Sequence, residues 1–345
     1  MILRKGNTLL LEQGAALVSS AAVVGRKEGE GPLADSFDRI VRDPYAGQKS
    51  WEKAESELQK QAVTLALQKA NLPANEIDVM LSGDLINQCT PSCYAAAPLG
   101  IPMLGLFGAC STAAESLALG SLMVESGAAE HALCLTSSHF CTAERQFRTP
   151  LAYGGQRSPT AQWTVTGAGA FVLAKEGALK IKGVCIGRPV DMGVRDVSNM
   201  GAAMAPAACD TLTRFFRDTG KAPCDFDLIL TGDLGSIGHR IVGEQMSSQG
   251  LPLGERYEDC GLLVYDVKRQ DMHAGGSGCG CSAVVLAGHV ISKMKQGLYS
   301  NVLLAGTGAL MSPMSLQQGD AIVGIAHLIA SGDAAGKSIF EHAAV

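Results

Sequence analysis

Two pairs of similar segments recur along the chain, and they constrain the fold more than any other feature of the sequence. NEIDVMLSGDL, at 75–85, matches CDFDLILTGDL, at 224–234. GACSTAAESLALG, which begins at Gly108, matches GCGCSAVVLAGHV, which begins at Gly278. The first pair is typical of a buried strand that ends in Gly-Asp, and the second of a tight turn that leads into a helix. Matching elements in matching order predict two duplicated βαβ-rich halves.

The duplication pairs residues of the first half with corresponding residues of the second half. Asp84 corresponds to Asp233, and Cys110 corresponds to Gly280. Right-handed crossover connections predict a mostly parallel central sheet in each half. The offset between matched residues grows from the first pair to the second, so the second half holds extra residues. We expect those extra residues within 239–261.

Composition excludes several classes of protein. The chain has 345 residues, 47% of them hydrophobic, and a net charge of −5, without a Lys/Arg run of the kind that binds nucleic acid. No apolar stretch is long enough to span a bilayer. Glu12 and Gln13 interrupt the apolar N-terminal run, which favours a first strand over a signal peptide. The eleven cysteines lack zinc-type spacing, which indicates buried thiols in a reducing compartment.

Further motifs resemble the thiolase superfamily, which comprises thiolases, ketoacyl synthases and their relatives. TGAGAFVLAKE, at 166–176, is similar to the D-G-A-G-A-x-V-L strand of that superfamily, with Thr166 in place of Asp. MGAAMAPAACDTL, at 200–212, is similar to the segment that opens the second half of thiolases. The resemblance implies an α/β fold with layered α-β-α-β-α architecture. Its N-terminal half, 1–175, would carry Cys110, and its C-terminal half, 176–345, would carry the Gly-rich turn.

Within this superfamily, stretches from Gly31 to His327 resemble one sporulation family of spore-forming Firmicutes; they include TAERQFRTP, DCGLLVYD and AGGSGCGCSAVV. This resemblance implies a non-catalytic protein that binds dipicolinic acid, together with calcium. It implies a place in the spore membrane assembly that moves dipicolinate during sporulation and germination. The implied partners are the other proteins of that assembly and, as in the superfamily, a second copy of the chain. The implied location is the forespore or spore, peripheral at the inner membrane through those partners, and no cofactor is implied.

Cys110 meets only one requirement of a condensing enzyme. A helix N-terminus lowers the pKa of a thiol, but a neighbouring imidazole is also needed to activate it. The two slots that hold His or Asn in condensing enzymes fall here on about Gly232 and on Gly276 or Ser277. The sequence therefore favours a pocket that binds rather than reacts. Two alternatives stay open: a Cys110-dependent acyltransferase of the ketoacyl synthase type, with His273 or His239 as base, and a scaffold protein with a vestigial pocket.

Four residues are expected to contact the ligand. The resemblance places Asp84 and Gly193 at the pocket, Cys110 would line it, and Ser236 could donate a hydroxyl. Calcium bridging Asp84 and dipicolinate would relieve the repulsion between two anionic groups. Asp233 is expected only to cap a turn.

Two other features could hold an anion. The helix ends at Cys110 and in the turn 276–282 would face each other, and unpaired amides at helix N-termini favour anions. Arg145 and Arg148 suit carboxylates as well. The commoner case for two arginines in such a polar loop is a solvated surface, and the sequence does not choose between the two.

Overall fold

A computed structural model describes residues 1–147 and 157–333 of the chain. Its strands, in chain order, are β1 (Ile2–Lys5), β2 (Thr8–Gly25), β3 (Arg39–Val41), β4 (Val79–Gly83), β5 (Met103–Gly105), β6 (Ala132–Ser138), β7 (Trp163–Thr164), β8 (Gly167–Ala174), β9 (Leu179–Cys185), β10 (Leu228–Thr231), β11 (Tyr257–Asp259), β12 (Gly276–Ser277), β13 (Asn301–Leu310) and β14 (Val323–Asp333).

The α-helices alternate with these strands. They are α1 (Trp51–Ala70), α2 (Thr90–Ala96), α3 (Thr112–Ser126), α4 (Phe140–Phe147), α5 (Met200–Thr219), α6 (Gly235–Ser248), α7 (Cys260–Leu263), α8 (Cys279–Val284), α9 (Ile291–Lys295) and α10 (Pro313–Gln317). A π-helical turn, Val285–Val290, joins α8 to α9. None of the helices in the described ranges is long and apolar enough to cross a membrane.

The strand order shows the duplication directly. In the first half the order is β5-β4-β6-β8-β2, and in the second it is β11-β10-β13-β14-β9. Each half has the same pairings: two parallel pairs at one side and two antiparallel pairs at the other. Antiparallel pairing of β2 with β9 joins the halves. The predicted boundary at 175/176 falls in the turn between β8 and β9.

The helices complete the layers that the resemblance implies. Helix α1 packs on β2 and β8, and α5 packs on β13 and β14, so each covers the outer face of one half-sheet. Helices α3 and α8 contact each other between the half-sheets. Helix α3 reaches strands of both halves, including β6 and β13. The α-β-α-β-α prediction is thereby confirmed.

Local sequence signals set the ends of the long helices. The Ser50 side chain accepts a hydrogen bond from the Lys53 amide at the start of α1. Asn71 ends that helix with φ of 54°, and Gly127 ends α3 with φ of 78°. These left-handed residues are the ordinary way for a helix to stop.

Two expectations about the fold are wrong. Each half-sheet is mixed rather than mostly parallel, because β8 pairs antiparallel with β6 and β2, and β14 pairs antiparallel with β13 and β9. Most of the extra residues of the second half lie at 260–278 rather than within 239–261. They form α7, the following loop and β12, where the first half has only the short link 106–108 between β5 and the turn at Cys110.

Candidate functional site

Cys110 lies in a tight turn directly before α3. The turn, Ala109–Ser111, is a short 3-10 helix that begins with Ala109 at φ of 51°, a conformation uncommon for a residue with a side chain. A Cβ atom on Gly308 of β13 would come within 3.0 Å of the Ser111 amide nitrogen. Glycine in that strand therefore lets the turn approach the second half closely, and Cys110 ends up 7% exposed.

The duplicate turn of the second half meets Cys110. Gly278, with φ of 100°, precedes α8, and Cys279 packs with Cys110 in one buried cluster. Three backbone amides of this turn have acceptors: Gly278 N–H donates to Asp233, Gly280 N–H donates to Ser138 Oγ, and Cys281 N–H donates to Gly278 O. The two turns do face each other, and the paired amide site for an anion stays a prediction.

Asp233 is the polar group beside the thiol. Its carboxylate accepts hydrogen bonds from Thr307 Oγ1 at 2.8 Å, Gly278 N at 2.9 Å and Ser277 Oγ at 3.2 Å. The Cys110 thiol lies beside it, close enough for each group to shift the pKa of the other. Asp233 caps the adjacent turn before α8 through the Gly278 amide, in line with the expectation that it caps a turn or an adjacent helix, and its enclosed side chain also lies beside the thiol. Sequence reasoning paired Asp233 with Asp84 but had no means to place Ser277 and Thr307 around it.

The charges of this pair are set by burial. Burial raises the pKa of Asp233 to about 7, although its hydrogen bonds favour the charged form. Burial, and then the neighbouring Asp233 carboxylate, raise the pKa of the Cys110 thiol well above its ordinary value. A cysteine nucleophile needs a lowered pKa and a base that takes its proton. Here the neighbour is an acid, and the thiol stays protonated.

An apolar wall closes the site on the side of the first half. The cluster around Cys110 contains Leu85 and Ile86, which follow β4, and Ala143 of α4, with Phe147 packed against it. These side chains form a buried apolar surface around the thiol. Such a surface suits the apolar face of a small ligand.

Asp84 holds this wall in place. Its Oδ1 accepts from Ile86 N at 2.8 Å, and its Oδ2 accepts from Ser92 N at 3.0 Å and from Ser92 Oγ at 2.6 Å. The side chain is completely buried, and burial raises its pKa. The structure thus gives Asp84 a role in fixing the loop and α2. Its predicted contact with a ligand or with calcium stays a prediction, and the described residues hold no group of three or more His, Cys, Asp or Glu suited to a metal.

Sequence reasoning missed a buried polar network on α1. Gln59 donates to Ser92 Oγ at 3.1 Å and to Ser137 Oγ at 2.6 Å, and Ser137 Oγ donates to Glu55 at 2.8 Å. Thr142 of α4 also donates to Glu55 at 2.8 Å. Burial, followed by the nearby Asp84 charge, raises the pKa of Glu55 to about 8. The sequence does contain a signal for this network. Glu55 and Gln59 are four residues apart, so they lie on the same face of α1 as the apolar residues Leu58 and Ala62.

The other predicted ligand residues lie in exposed positions. Gly193, with φ of 73°, is exposed in a loop, where its amide donates to Asp191 at 2.8 Å. Ser236 is exposed in the first turn of α6, three residues after Asp233. Their predicted ligand contacts also stay predictions.

Of the two arginines predicted to suit carboxylates, one lies within the described residues and the other lies outside them. Arg145 pairs with Glu52 and lies over the Trp51 ring. These contacts agree with the interpretation of Arg145 as a surface residue, and they do not place it beside Cys110. Arg148 lies outside the described residues.

The histidines offered as bases have partners elsewhere. The Nδ1 atom of His273 lies 2.8 Å from Ser158 O, and its Nε2 lies 3.4 Å from Asp271. His239 stacks on the Tyr257 ring with centroids 4.2 Å apart and contacts the Tyr257 carbonyl. Neither geometry brings an imidazole to the Cys110 thiol, which counts against the acyltransferase alternative.

Comparison with known proteins identifies relatives at two levels. The family model of stage V sporulation protein AD matches residues 5–331. Stage V sporulation protein AD of Bacillus subtilis (strain 168) is 45% identical over 332 residues, which cover 96% of this chain and 98% of that protein. The sporulation family indicated by the sequence motifs is therefore confirmed.

Solved structures of condensing enzymes share the fold at low sequence identity. The 3-oxoacyl-[acyl-carrier-protein] synthase III of Aquifex aeolicus VF5 superposes with a TM-score of 0.57 at 14% identity, covering 92% of this chain and all (100%) of that chain. An OleA variant of Xanthomonas campestris gives a TM-score of 0.59 at 15% identity, covering 93% of this chain and 99% of the other. This similarity confirms the thiolase-like fold and carries no activity with it.

Proposed function

The chain belongs to the stage V sporulation protein AD family, and from that membership we propose that it binds dipicolinic acid at the Cys110 pocket without catalysing a reaction. The observation that carries this proposal is the burial of the Cys110 thiol beside the Asp233 carboxyl, since burial and then that carboxyl raise the pKa of the thiol. An acid in that position raises the pKa of the thiol, whereas a condensing enzyme lowers it. Burial, together with Asp233, keeps the cysteine protonated.

The electrostatics of the pocket suit a dianion when its own acids are protonated. Burial raises the pKa of Asp233 to about 7 and that of Glu55 to about 8, and it raises the pKa of Asp84 as well. Protonated carboxyl groups do not repel a dicarboxylate and can donate hydrogen bonds to it. In the part of the chain that the structure describes, the backbone N–H of Cys110 has no acceptor, so it is available to a ligand oxygen.

The pH dependence follows from these directions. As the pH rises through about 7 and then 8, Asp233 and Glu55 ionise and repel the dianion. We therefore expect the affinity for dipicolinate to fall from pH 6 to pH 9. In the proposal calcium travels with dipicolinate as cargo and is shared with Asp84. Calcium should therefore weaken this pH dependence, and binding that is unchanged by a calcium chelator would contradict the calcium part alone.

Calorimetric titration with dipicolinate tests the binding site. Cys110→Ala and Asp84→Ala should weaken binding, and Asp227→Ala is the matched control. Asp227 lies just before β10, but it accepts from the Ser300 and Asn301 amides in an exposed position. Absence of binding by the unmodified chain would favour the scaffold alternative over the proposal.

Incubation with acyl-CoA tests the absence of catalysis. The intact mass of the protein should stay unchanged after incubation. A stable acyl adduct that Cys110→Ala abolishes would overturn the non-catalytic assignment and favour the acyltransferase.

The cellular role is proposed from the family alone. We place the protein in the spore membrane assembly that moves dipicolinate during sporulation and germination. In this view the protein is peripheral at the inner membrane and is held there by the other proteins of the assembly.

A further inference from the structure

A cavity of about 250 Å³, called the second cavity to distinguish it from the proposed site at Cys110, shares one helix with that site. Helix α4 contributes Ala143 to the cluster around Cys110, but it contributes Phe140 and Cys141 to the second cavity. The remaining walls are the end of β2, the segment that follows β3, and the first turns of α1. This second cavity plays no part in the function proposed above.

The size and walls of the second cavity suit one small flat molecule. Pockets for drug-sized ligands usually measure about 300–1,000 Å³, so this cavity takes something smaller. Leu58, Ala54 and Val41 supply aliphatic surface, and Trp163 supplies an aromatic ring that stacks on Phe140 with centroids 4.0 Å apart.

Glu28 is a buried carboxyl on this wall with one oxygen unused. Its Oε1 accepts hydrogen bonds from the Tyr265 hydroxyl and, at 2.9 Å, from the Thr166 amide. Its Oε2 has no partner among the described residues. Gly25 also lines the cavity. A Cβ atom placed on Gly25 would lie 2.8 Å from Oε2. Burial raises the pKa of Glu28. In its protonated form the carboxyl can donate a hydrogen bond from Oε2.

Thr166 is an uncharged residue on the same wall, at a position where an Asp would add a negative charge. The matching strand of the thiolase superfamily has Asp at this position, and here Thr166 lines the cavity. Its Oγ1 accepts from the Phe140 amide at 3.1 Å, and the hydroxyl hydrogen has no acceptor in the described ranges. Thr166 therefore adds a second donor where an Asp would repel an anion.

The charges at the rim of the cavity are mostly positive. Lys27 Nζ lies 5.4 Å from the centre of the Trp163 ring, and Arg42 forms no ion pair with any described residue. Arg26 is paired with Glu30 at 2.8 Å, and Asp43 accepts from the Tyr45 and Gly47 amides.

His139 is the remaining titratable group on the wall of the cavity, apart from the Cys141 thiol. Burial lowers the pKa of His139, so its ring is neutral. Its ring nitrogens contact Pro44 O and the Cys141 amide. Lys27 and Arg42 are therefore the two cations available to a ligand.

We propose that this cavity is a second binding site, which takes a small carboxylate on a flat apolar body such as a single-ring aromatic acid. The carboxylate accepts from Glu28 and Thr166 and is balanced by Lys27 and Arg42. The ring lies against Trp163 and Leu58.

The test uses 4-bromobenzoate as the probe. The chain has two tryptophans, so Trp51→Phe leaves Trp163 as the only source of tryptophan fluorescence. In this background we expect a saturable change of fluorescence on titration. Thr166→Asp should weaken binding by about tenfold or more, because it places a like charge beside the carboxylate. Thr166→Ser should keep the parent affinity, and so should Cys110→Ala.

Several results would overturn the proposal. They are absence of saturable binding to the parent protein, equal affinity of the Thr166→Asp variant, and a bromine anomalous peak beside Cys110 rather than Trp163 in soaked crystals. If Thr166→Asp does not fold, Lys27→Gln combined with Arg42→Gln takes its place. Those side chains are exposed, and their loss should weaken binding without unfolding the chain. Dipicolinate binding at Cys110 should be unaffected by either change, which separates failure here from failure of the proposed function.

Discussion

Asp84 and Asp233 end matching strands but have different partners. Asp84 accepts from the residues that follow it along the chain, Ile86 and Ser92, whereas Asp233 contacts Cys110 of the other half. The divergence has a chemical consequence, because Asp233 adds to the effect of burial in raising the pKa of the thiol.

Replacing Asp233 with Asn should activate the thiol. Loss of the carboxylate removes one cause of the raised pKa of Cys110, so the alkylation rate at pH 8 should rise about tenfold for each unit by which that pKa falls. The measurement is the rate of iodoacetamide labelling of the peptide that contains Cys110. Asp227→Asn is the control. An unchanged rate for Asp233→Asn would contradict this assignment.

The sequence predicts the position of Cys110 better than its surroundings. A small-residue turn before an apolar helix pattern marks Cys110, and the duplication marks Asp233 as a residue at a strand end. The contacts of Asp233 come from Ser277 and Thr307, which are distant along the chain. Such contacts depend on how strands of one half face turns of the other, and no local pattern encodes that.

Helix α1 connects the elements that surround the pocket. Through Glu55 and Gln59 it reaches β6, α2 and α4, and Thr142 of α4 lies one residue from Ala143 in the cluster around Cys110. A network of this kind fixes the relative positions of helices only while every member keeps its hydrogen bonds.

The acids of this network should make stability fall as the pH rises. The folded pKa of Glu55, about 8, lies above its ordinary 4.5. The folded state therefore holds this proton more tightly, and the associated stability is complete below about pH 4.5 and is lost on the way to pH 8. Glu55→Gln should reduce this loss in the free energy of unfolding by at least about 1.4 kcal/mol, the equivalent of one pKa unit.

Urea unfolding at pH 5 and at pH 8.5 measures the effect. Glu57→Gln is the matched control, since Glu57 lies on the same helix, partly exposed, and pairs with Lys60. Equal pH dependence of the Glu55→Gln variant and the parent protein would show that Glu55 ionises normally.

At the level of elements, the sequence predicts the order of strands and helices and misjudges their connections. The buried runs of β4 and β10 and the helix pattern of α1 are local signals, and they are found where expected. Strand direction depends on how the chain returns after β6 and β13. The segments there, 139–166 and 311–322, carry no sequence pattern that distinguishes an antiparallel return from a parallel crossover.

The whole molecule builds its candidate site from both halves. Cys110 comes from the first half, and Asp233, Gly278 and Thr307 come from the second. When a site lies between two duplicated halves, the residues of one half can change while the other half keeps its turn and helix.

One edge of the whole sheet is open, and we expect a second copy of the chain to cover it. Strand β5 pairs only with β4 among the described strands, and beside it Leu104 is 52% exposed and Phe107 is 57% exposed. An exposed apolar edge strand favours pairing with another chain, and a twofold dimer buries each such residue twice.

Leu104→Lys should therefore weaken the dimer by more than about tenfold, since burial of a leucine is worth about 1.5–3 kcal/mol. Sedimentation equilibrium measures the dissociation constant, with Met314→Lys, at a 64% exposed position on α10, as the control. A parent protein that sediments as a monomer, or equal weakening by Met314→Lys, would exclude β5 as the dimer edge.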